Sequence, residues 1–144
     1  MQTFLPYRSF YATAEALDYR RLGKQRVETK QIINALNGNS VGWVNHPATK
    51  MWRGYDGAIA KYGLIMCNVW KERGYQDNLA DFFRQAFIDA KNKKEYPHWL
   101  GDEALHISHQ SNLIRKDADF YRPKFGLLVP DDLPYVWLDG KPNA

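Results

Sequence analysis

The feature that most constrains the fold is the spacing of apolar residues, which recur every three or four positions over much of the chain. In the clearest segment they stand at Met51, Tyr55, Ile59, Tyr62, Met66 and Val69. This spacing places them along one side of an α-helix. No segment shows the convincing alternation of apolar and polar residues that marks a half-buried strand. The sequence therefore predicts an all-α fold.

Start and stop signals bound the predicted helices. A short helix capped by Ser9 is predicted over 9–16, and longer ones over 18–36, 48–73, 79–91 and 102–116. Asn37-Gly38 and Gly74 are typical helix ends, and Asp102 is a typical N-cap. The opening MQTFLPY is expected to pack on the body as an extended arm. Residues 37–50 are predicted to form a loop, and 120–144 an irregular tail wrapped over the body.

The bulk properties describe an ordinary globular chain. Its 144 residues are expected to form a single domain over 1–144. The only cysteine, Cys67, cannot form an internal disulfide and lies in an apolar run, so a buried thiol is expected. No apolar segment approaches the about 20 residues of a membrane span, and the N-terminus does not resemble a signal peptide. We expect a cytoplasmic monomer.

Charge and aromatic content permit a nucleic-acid partner. The net charge is +4, and aromatic residues make up 15% of the chain. Basic side chains bind phosphates, and aromatic rings either fill a core or stack on bases. Neither number proves a partner, because a binding surface also requires that these residues cluster.

The densest cluster is RRLGKQRVE at 20–28. At about 100° per residue, Arg21, Lys24, Gln25 and Glu28 share one helix face. Arg26 borders the apolar stripe, where it needs a carboxylate from another element or a phosphate as its partner. A carboxylate beside bound phosphodiester suits electrostatic or general acid–base work on a sugar. The alternative is a solvated face with intrahelical ion pairs.

Two further clusters carry candidate site residues. His106 and His109 lie three positions apart on the last predicted helix, which ends in the basic pair Arg115 and Lys116. The histidines are candidates for a general acid or a base contact, and a core histidine is the alternative for His109. A hydrolytic metal site on these two residues and His46 is a weaker hypothesis, because Zn ligands on a helix more often stand at i and i+4.

The second of these clusters is HPATKMWRGY at 46–55. Lys50 and Arg53 are candidates for phosphate contacts. The rings of His46, Trp52 and Tyr55 are candidates for base stacking, with core packing as the alternative for Trp52 and Tyr55.

Four sequence blocks together resemble the pyrimidine-dimer DNA glycosylases of the endonuclease V type. They are RLGKQRVE at 21–28, HPATKMWRGY at 46–55, LGDEALHISHQSNLIRKD at 100–117 and PDDLPYVW at 130–137. The resemblance implies a compact helical protein that binds kinked duplex DNA and displaces a base. It also implies attack on the sugar C1′ by the N-terminal amine, and then strand cleavage by β-elimination through an imine. A glutamate on the first helix would be essential, with arginines around it holding phosphates.

The chain departs from that family at two positions. The family's nucleophile is the amine of a threonine that is exposed when the initiator Met is removed, whereas residue 2 here is Gln. The Met1 amine is therefore the candidate nucleophile. The expected glutamate after Tyr-Arg is replaced by Arg21, so Glu28 is the best substitute, with Asp18 as the other candidate.

These inferences lead to a DNA glycosylase, with or without an AP-lyase step, that acts on a damaged or modified pyrimidine in double-stranded DNA. No cofactor, metal or membrane contact is expected. The predicted catalytic residues are Glu28, Met1, His109 and His106. The predicted phosphate contacts are Arg20, Arg21, Lys24, Arg26, Lys50, Arg53, Arg115 and Lys116. The alternatives are a relative that acts on a free nucleotide or modifies a base, and a non-catalytic DNA-binding module.

Overall fold

The computed structural model describes residues 1–39 and 42–142, and in these ranges α-helices are the only regular secondary structure. The predicted all-α class is confirmed. The helices are α1 (Phe10–Ala16), α2 (Tyr19–Leu36), α3 (Pro47–Met51), α4 (Asp56–Glu72), α5 (Ala80–Asp89), α6 (Glu103–Lys116) and α7 (Ala118–Phe125).

Side-chain caps begin α1, α2 and α6 where the sequence predicts a helix start. The Ser9 hydroxyl accepts a hydrogen bond from Ala12 N–H at 3.1 Å and begins α1. Asp18 and Asp102 cap α2 and α6 in the same way. Each cap satisfies a backbone N–H that has no partner inside the helix, which is why these three starts can be read from sequence.

The single helix predicted over 48–73 is wrong, because the chain breaks into α3 and α4. Gly54 lies in the break with a φ of +85°, a conformation that other residues rarely adopt. The chain turns there, while Met51 and Tyr55 on either side remain buried. The apolar spacing therefore identified the buried side of the segment correctly but concealed the turn.

The wholly irregular tail predicted from residue 120 is also wrong, because α7 occupies its first part. Asp117 caps this helix, and Gly126, with a φ of +90°, ends it. Pro123 lies near the C-terminal end, where it removes one helical hydrogen bond. Positions 40 and 41 of the predicted loop, and 143 and 144 of the tail, lie outside the described residues.

One hydrophobic core joins the helices and the N-terminal arm. Helix α4 packs against α1, α2 and α5, and α7 packs against α6. The contact between α2 and α4 uses Gly23, because a Cβ there would lie 3.0 Å from the ring of Trp70. Cys67 is fully buried, as expected, and burial raises its pKa to about 12. None of the described helices combines the length and the apolar character needed to cross a membrane.

Candidate active site

A cleft of about 1120 Å³ opens where the N-terminal arm meets the first turns of α2 and the start of α7. Its cations outnumber its carboxylates, so it suits a polyanion. The basic residues that line it are Arg20, Arg21, Lys24, Arg73, Lys116 and Lys124. The acidic residues are Glu15, Asp18, Glu28 and Asp117.

The arm brings the chain's first residues to Glu28 in this cleft. The N–H of Gln2 donates a hydrogen bond to Glu28 Oε2 at 3.2 Å. Met1, the residue before it, is half-buried and also lines the cleft. One residue spans at most about 3.6 Å of chain, so the Met1 amine lies within about 7 Å of the Glu28 carboxylate. The structure thus brings two of the four predicted catalytic residues together.

His46 lies near the same two groups. Its Nδ1 accepts a hydrogen bond from Ala48 N–H at 3.0 Å and caps α3, so in the neutral ring Nε2 carries the proton. Burial lowers the His46 pKa, the nearby N-terminal amine lowers it further, and the charge of Glu28 acts in the opposite direction. The His46 ring is therefore near enough to the amine and the carboxylate for both charges to act on it, although it does not line the cleft.

Asp18 is the other candidate for the role of the family's glutamate, but its side chain binds a residue of α7. The hydroxyl of Tyr121 donates a hydrogen bond to its carboxylate, and the Asp18 N–H donates to the same hydroxyl at 3.0 Å. Arg21 donates to Asp18 at 3.1 Å. Burial acts to raise the Asp18 pKa, but these hydrogen bonds outweigh it and the pKa is lowered. Glu28 is therefore the better placed of the two carboxylates.

The two histidines of α6 hold the arm and do not line the cleft. Gly101 N–H donates to His106 Nε2 at 2.9 Å, so the protonated Nδ1 donates to the carbonyl of Leu5 at 2.7 Å. Leu5 N–H in turn donates to His109 Nδ1 at 2.8 Å. The His109 ring is fully buried, and burial, helped by the charge of His106, lowers its pKa to about 3. We therefore assign neither ring a catalytic role.

A metal site on these histidines is not supported. Within 1–39 and 42–142, no three His, Cys, Asp or Glu side chains are grouped so as to hold a metal ion. His106 also has both ring nitrogens engaged in hydrogen bonds.

The buried His109 predicts a pH-dependent stability. Its pKa is about 3 in the folded chain and 6.5 as a free side chain, so below pH 6.5 the unfolded chain binds a proton that the folded chain does not. The free energy of unfolding should fall by roughly 2–3 kcal/mol between pH 6.5 and 4.5 from this residue. His109→Asn, which keeps an acceptor for Leu5 N–H but does not titrate, should reduce that slope in urea unfolding.

The exposed His98 supplies the control for this prediction. His98→Asn replaces a histidine on the surface and should leave the slope near the wild-type value. An unchanged slope in His109→Asn would show that His109 titrates normally in the folded chain.

The sequence predicts either a carboxylate or a phosphate as the partner of Arg26, and the structure shows a carboxylate. Its Nε donates to Asp77 Oδ1 at 2.8 Å, and the two side chains are 9% and 1% exposed. The guanidinium lies 4.9 Å from the ring of Trp70. This pair joins α2 to the start of α5, so Arg26 is not available to a phosphate.

The other predicted phosphate contacts divide into two groups. Those that line the cleft are Arg20, Arg21, Lys24 and Lys116. Lys50 and Arg53 lie outside it, and their carbonyls accept hydrogen bonds from the tail at Gly140 and Lys141. Arg115 holds the tail as well, donating to the carbonyl of Asp131 at 2.7 Å.

The rings proposed for base stacking are mostly in the core. Trp52 is fully buried and Tyr55 is 3% exposed, so the core-packing alternative describes both. The indole of Trp52 donates to the hydroxyl of Thr3 at 2.9 Å and so helps to fix the arm. Neither ring offers a face to a base.

Tyr135, an aromatic residue of the tail, lines the cleft but was not among the site residues predicted from the sequence. Its ring packs edge-on against His109, with centroids 5.6 Å apart, and lies 6.4 Å from Phe4. Burial raises its pKa. The available signal was the block PDDLPYVW, whose aromatic residues follow a basic helix.

Comparison with known proteins adds one finding. A family model described as pyrimidine dimer DNA glycosylase matches residues 1–82, which is more than half of the chain. That range includes the arm, Glu28 and helices α1 to α4, whereas Tyr135 lies beyond it. No curated protein and no solved structure matches the chain.

Proposed function

Because this chain belongs to the pyrimidine dimer DNA glycosylase family, we propose that it is a DNA glycosylase acting on a damaged or modified pyrimidine in duplex DNA. The observation that carries the proposal is the 3.2 Å hydrogen bond from Gln2 N–H to Glu28. It supports an arrangement in which an N-terminal amine and a carboxylate act together in a cationic cleft.

The amine of Met1 is the proposed nucleophile. It attacks the sugar C1′ as the glycosyl bond breaks, and the departing base takes up a proton. Opening of the sugar ring leaves an imine between the amine nitrogen and C1′. Loss of a proton from C2′ then expels the 3′ phosphate and breaks the strand.

Glu28 has two roles in this proposal. Its carboxylate accepts the proton that the amine loses during attack, and it stabilises the positive charge that develops on the sugar. The same oxygen, Oε2, also accepts a hydrogen bond from Gln25 Nε2 at 3.4 Å, and this bond helps to fix the position of the carboxylate. His46 is close enough to the same charges to influence proton transfer between them.

The cations of the cleft are proposed to hold the DNA backbone while the target base leaves the stack. Lys24 is exposed and Arg21 is half-buried on the face of α2 that also carries Glu28. Lys116 contributes from the end of α6. Tyr135, which is half-buried and lines the cleft, is the ring proposed to contact an unstacked base.

Removing two of these cations should change the salt dependence of DNA binding. Each phosphate contact contributes about 0.9 to the slope of log K against log salt. Arg21→Ala with Lys24→Ala should therefore make that slope shallower by about 1.8. Fluorescence anisotropy on duplex DNA at several salt concentrations measures it. Lys91→Ala with Lys94→Ala, two exposed cations beyond the cleft, is the matched control.

The direct test of the activity is cleavage of a defined duplex. A labelled strand carrying one cyclobutane pyrimidine dimer, and a panel of strands with other modified pyrimidines, would be incubated with the protein and then treated with alkali. Strand breaks at the modified base support the proposal. If the protein binds the duplexes but breaks none of them, a non-catalytic DNA-binding module is favoured. If it binds nucleotides but has no affinity for duplex DNA, the alternative that acts on a free nucleotide is favoured.

A further inference from the structure

The side-chain amide of Gln25 uses its full hydrogen-bonding capacity between the arm and the cleft. Its Nε2 donates to the carbonyl of Gln2 at 2.9 Å and to Glu28 Oε2 at 3.4 Å. Its Oε1 accepts from Phe4 N–H at 2.9 Å, and the hydroxyl of Tyr62, 2.7 Å away, shares its single proton between this oxygen and the carbonyl of Phe4. An amide offers two donors and two acceptor sites, so none remains free. The residue is 1% exposed.

The orientation of this amide is determined by its partners. Phe4 N–H can only donate, so the atom facing it must be Oε1, and Nε2 must then face Gln2 and Glu28. The Tyr62 hydroxyl, fully buried on α4, is compatible with this orientation, and it also contacts the carbonyl of Phe4 at 2.7 Å. The amide group is therefore held in one position from three directions.

This geometry couples the arm to the carboxylate. Gln25 and Glu28 lie one helical turn apart on α2, and both contact Gln2, one at its carbonyl and the other at its N–H. Because both backbone groups of Gln2 are held, the position and direction of the residue before it are restricted. We infer that Gln25 is a positioning residue that fixes the register of the N-terminal arm and thereby places the amine of residue 1 against Glu28. The catalytic part of this inference, the placement of the amine for reaction, rests on the proposed function. The structural part, the fixed position of the arm, does not.

The test compares three variants. Gln25→Leu removes all four hydrogen bonds. Gln25→Glu retains the acceptors for Phe4 and Tyr62 but loses both donors. Gln31→Leu is the matched control, because Gln31 is a half-buried glutamine on the same helix. Circular dichroism and urea unfolding establish whether each variant is folded. If Gln25→Leu does not fold, Gln25→Glu still provides the test.

The first measurement does not depend on activity. A broad-specificity aminopeptidase should remove Met1 slowly from the wild type and from Gln31→Leu, because the arm is bound. Release from both Gln25 variants should be at least about tenfold faster, because part of the arm's hydrogen bonding is lost. Rates equal to wild type in both Gln25 variants would overturn the inference, whatever reaction the protein performs.

The second measurement tests the catalytic consequence. Borohydride trapping on abasic duplex DNA should slow on the order of 100-fold in Gln25→Leu, the effect of misplacing a reacting group by about 1 Å. The Kd for that duplex should stay within about twofold, because Gln25 is uncharged and 1% exposed and so contributes little to phosphate binding. Trapping at the wild-type rate would overturn the positioning role while the proposed function stood. Absence of trapping in the wild type would instead count against the proposed lyase chemistry, and the aminopeptidase result would still decide the role of Gln25.

Discussion

Replacing Glu28 by glutamine should lower the rate of glycosyl bond cleavage by roughly 10²- to 10⁴-fold, the usual contribution of a positioned acid–base group. Glutamine keeps an oxygen that can accept the hydrogen bond from Gln2 N–H. It cannot take the proton of the amine or neutralise charge on the sugar. The measurement is single-turnover cleavage of a duplex with one modified pyrimidine, with DNA affinity measured in parallel.

Glu72→Gln is the matched control for this substitution. Glu72 is an exposed glutamate that accepts a hydrogen bond from the hydroxyl of Tyr11 at 3.1 Å, and it does not line the cleft. Its replacement should leave cleavage within about twofold, as expected of a residue outside the reacting groups. Cleavage by Glu28→Gln at the control rate would contradict the role assigned to Glu28.

Removing Asp77 should destabilise the fold by about 3–5 kcal/mol, because it leaves the Arg26 guanidinium buried without its partner. The other carboxylate oxygen of Asp77 accepts hydrogen bonds from Leu79 N–H at 3.2 Å and Ala80 N–H at 2.8 Å, so the start of α5 also loses these two bonds. Burial acts to raise the Asp77 pKa, but its hydrogen bonds outweigh this and lower it. Urea unfolding of Asp77→Ala measures the loss.

Asp81→Ala is the comparison for this effect. Asp81 pairs with Arg84 at 2.6 Å on the surface, with side chains 97% and 50% exposed. Loss of a surface pair costs about 0–1 kcal/mol. If the two variants lost equal stability, the buried pair would not be holding α2 to α5.

The parts of the fold that sequence predicts are those set by local rules. The starts of α1, α2 and α6 follow from a single capping side chain each. The break at Gly54 was missed because a periodic apolar pattern continues across a turn whenever both flanks face the same core. Helix α7 was missed because proline content suggested irregular chain, whereas the cap at Asp117 dominates locally.

The site was harder to predict, because its composition depends on contacts between distant residues. Helical spacing placed Arg21, Lys24 and Glu28 on one face. It could not show that Arg26 would meet Asp77, which lies 51 positions along the chain. Sequence also gave His106 and His109 a chemical role, although their nitrogens bind the backbone of Leu5 more than 100 positions away.

The arm is the clearest case of this limitation. Nothing in MQTFLPY indicates that its backbone is bound by side chains of α2, α4 and α6. Such bonds replace the regular pairing that a strand would have within a sheet. They give the first residues of the chain a defined position, which an unsupported terminus lacks.

The measurement that tests the central claim most directly is borohydride trapping on duplex DNA with an abasic site, followed by mass spectrometry of the adduct and of the intact N-terminus. Reduction converts an imine to a stable amine, so a covalent link marks the nucleophile. The account predicts an adduct on the amine of Met1, and its loss when that amine is acetylated. No adduct from a folded protein that binds the duplex, or an adduct on a lysine, would contradict it.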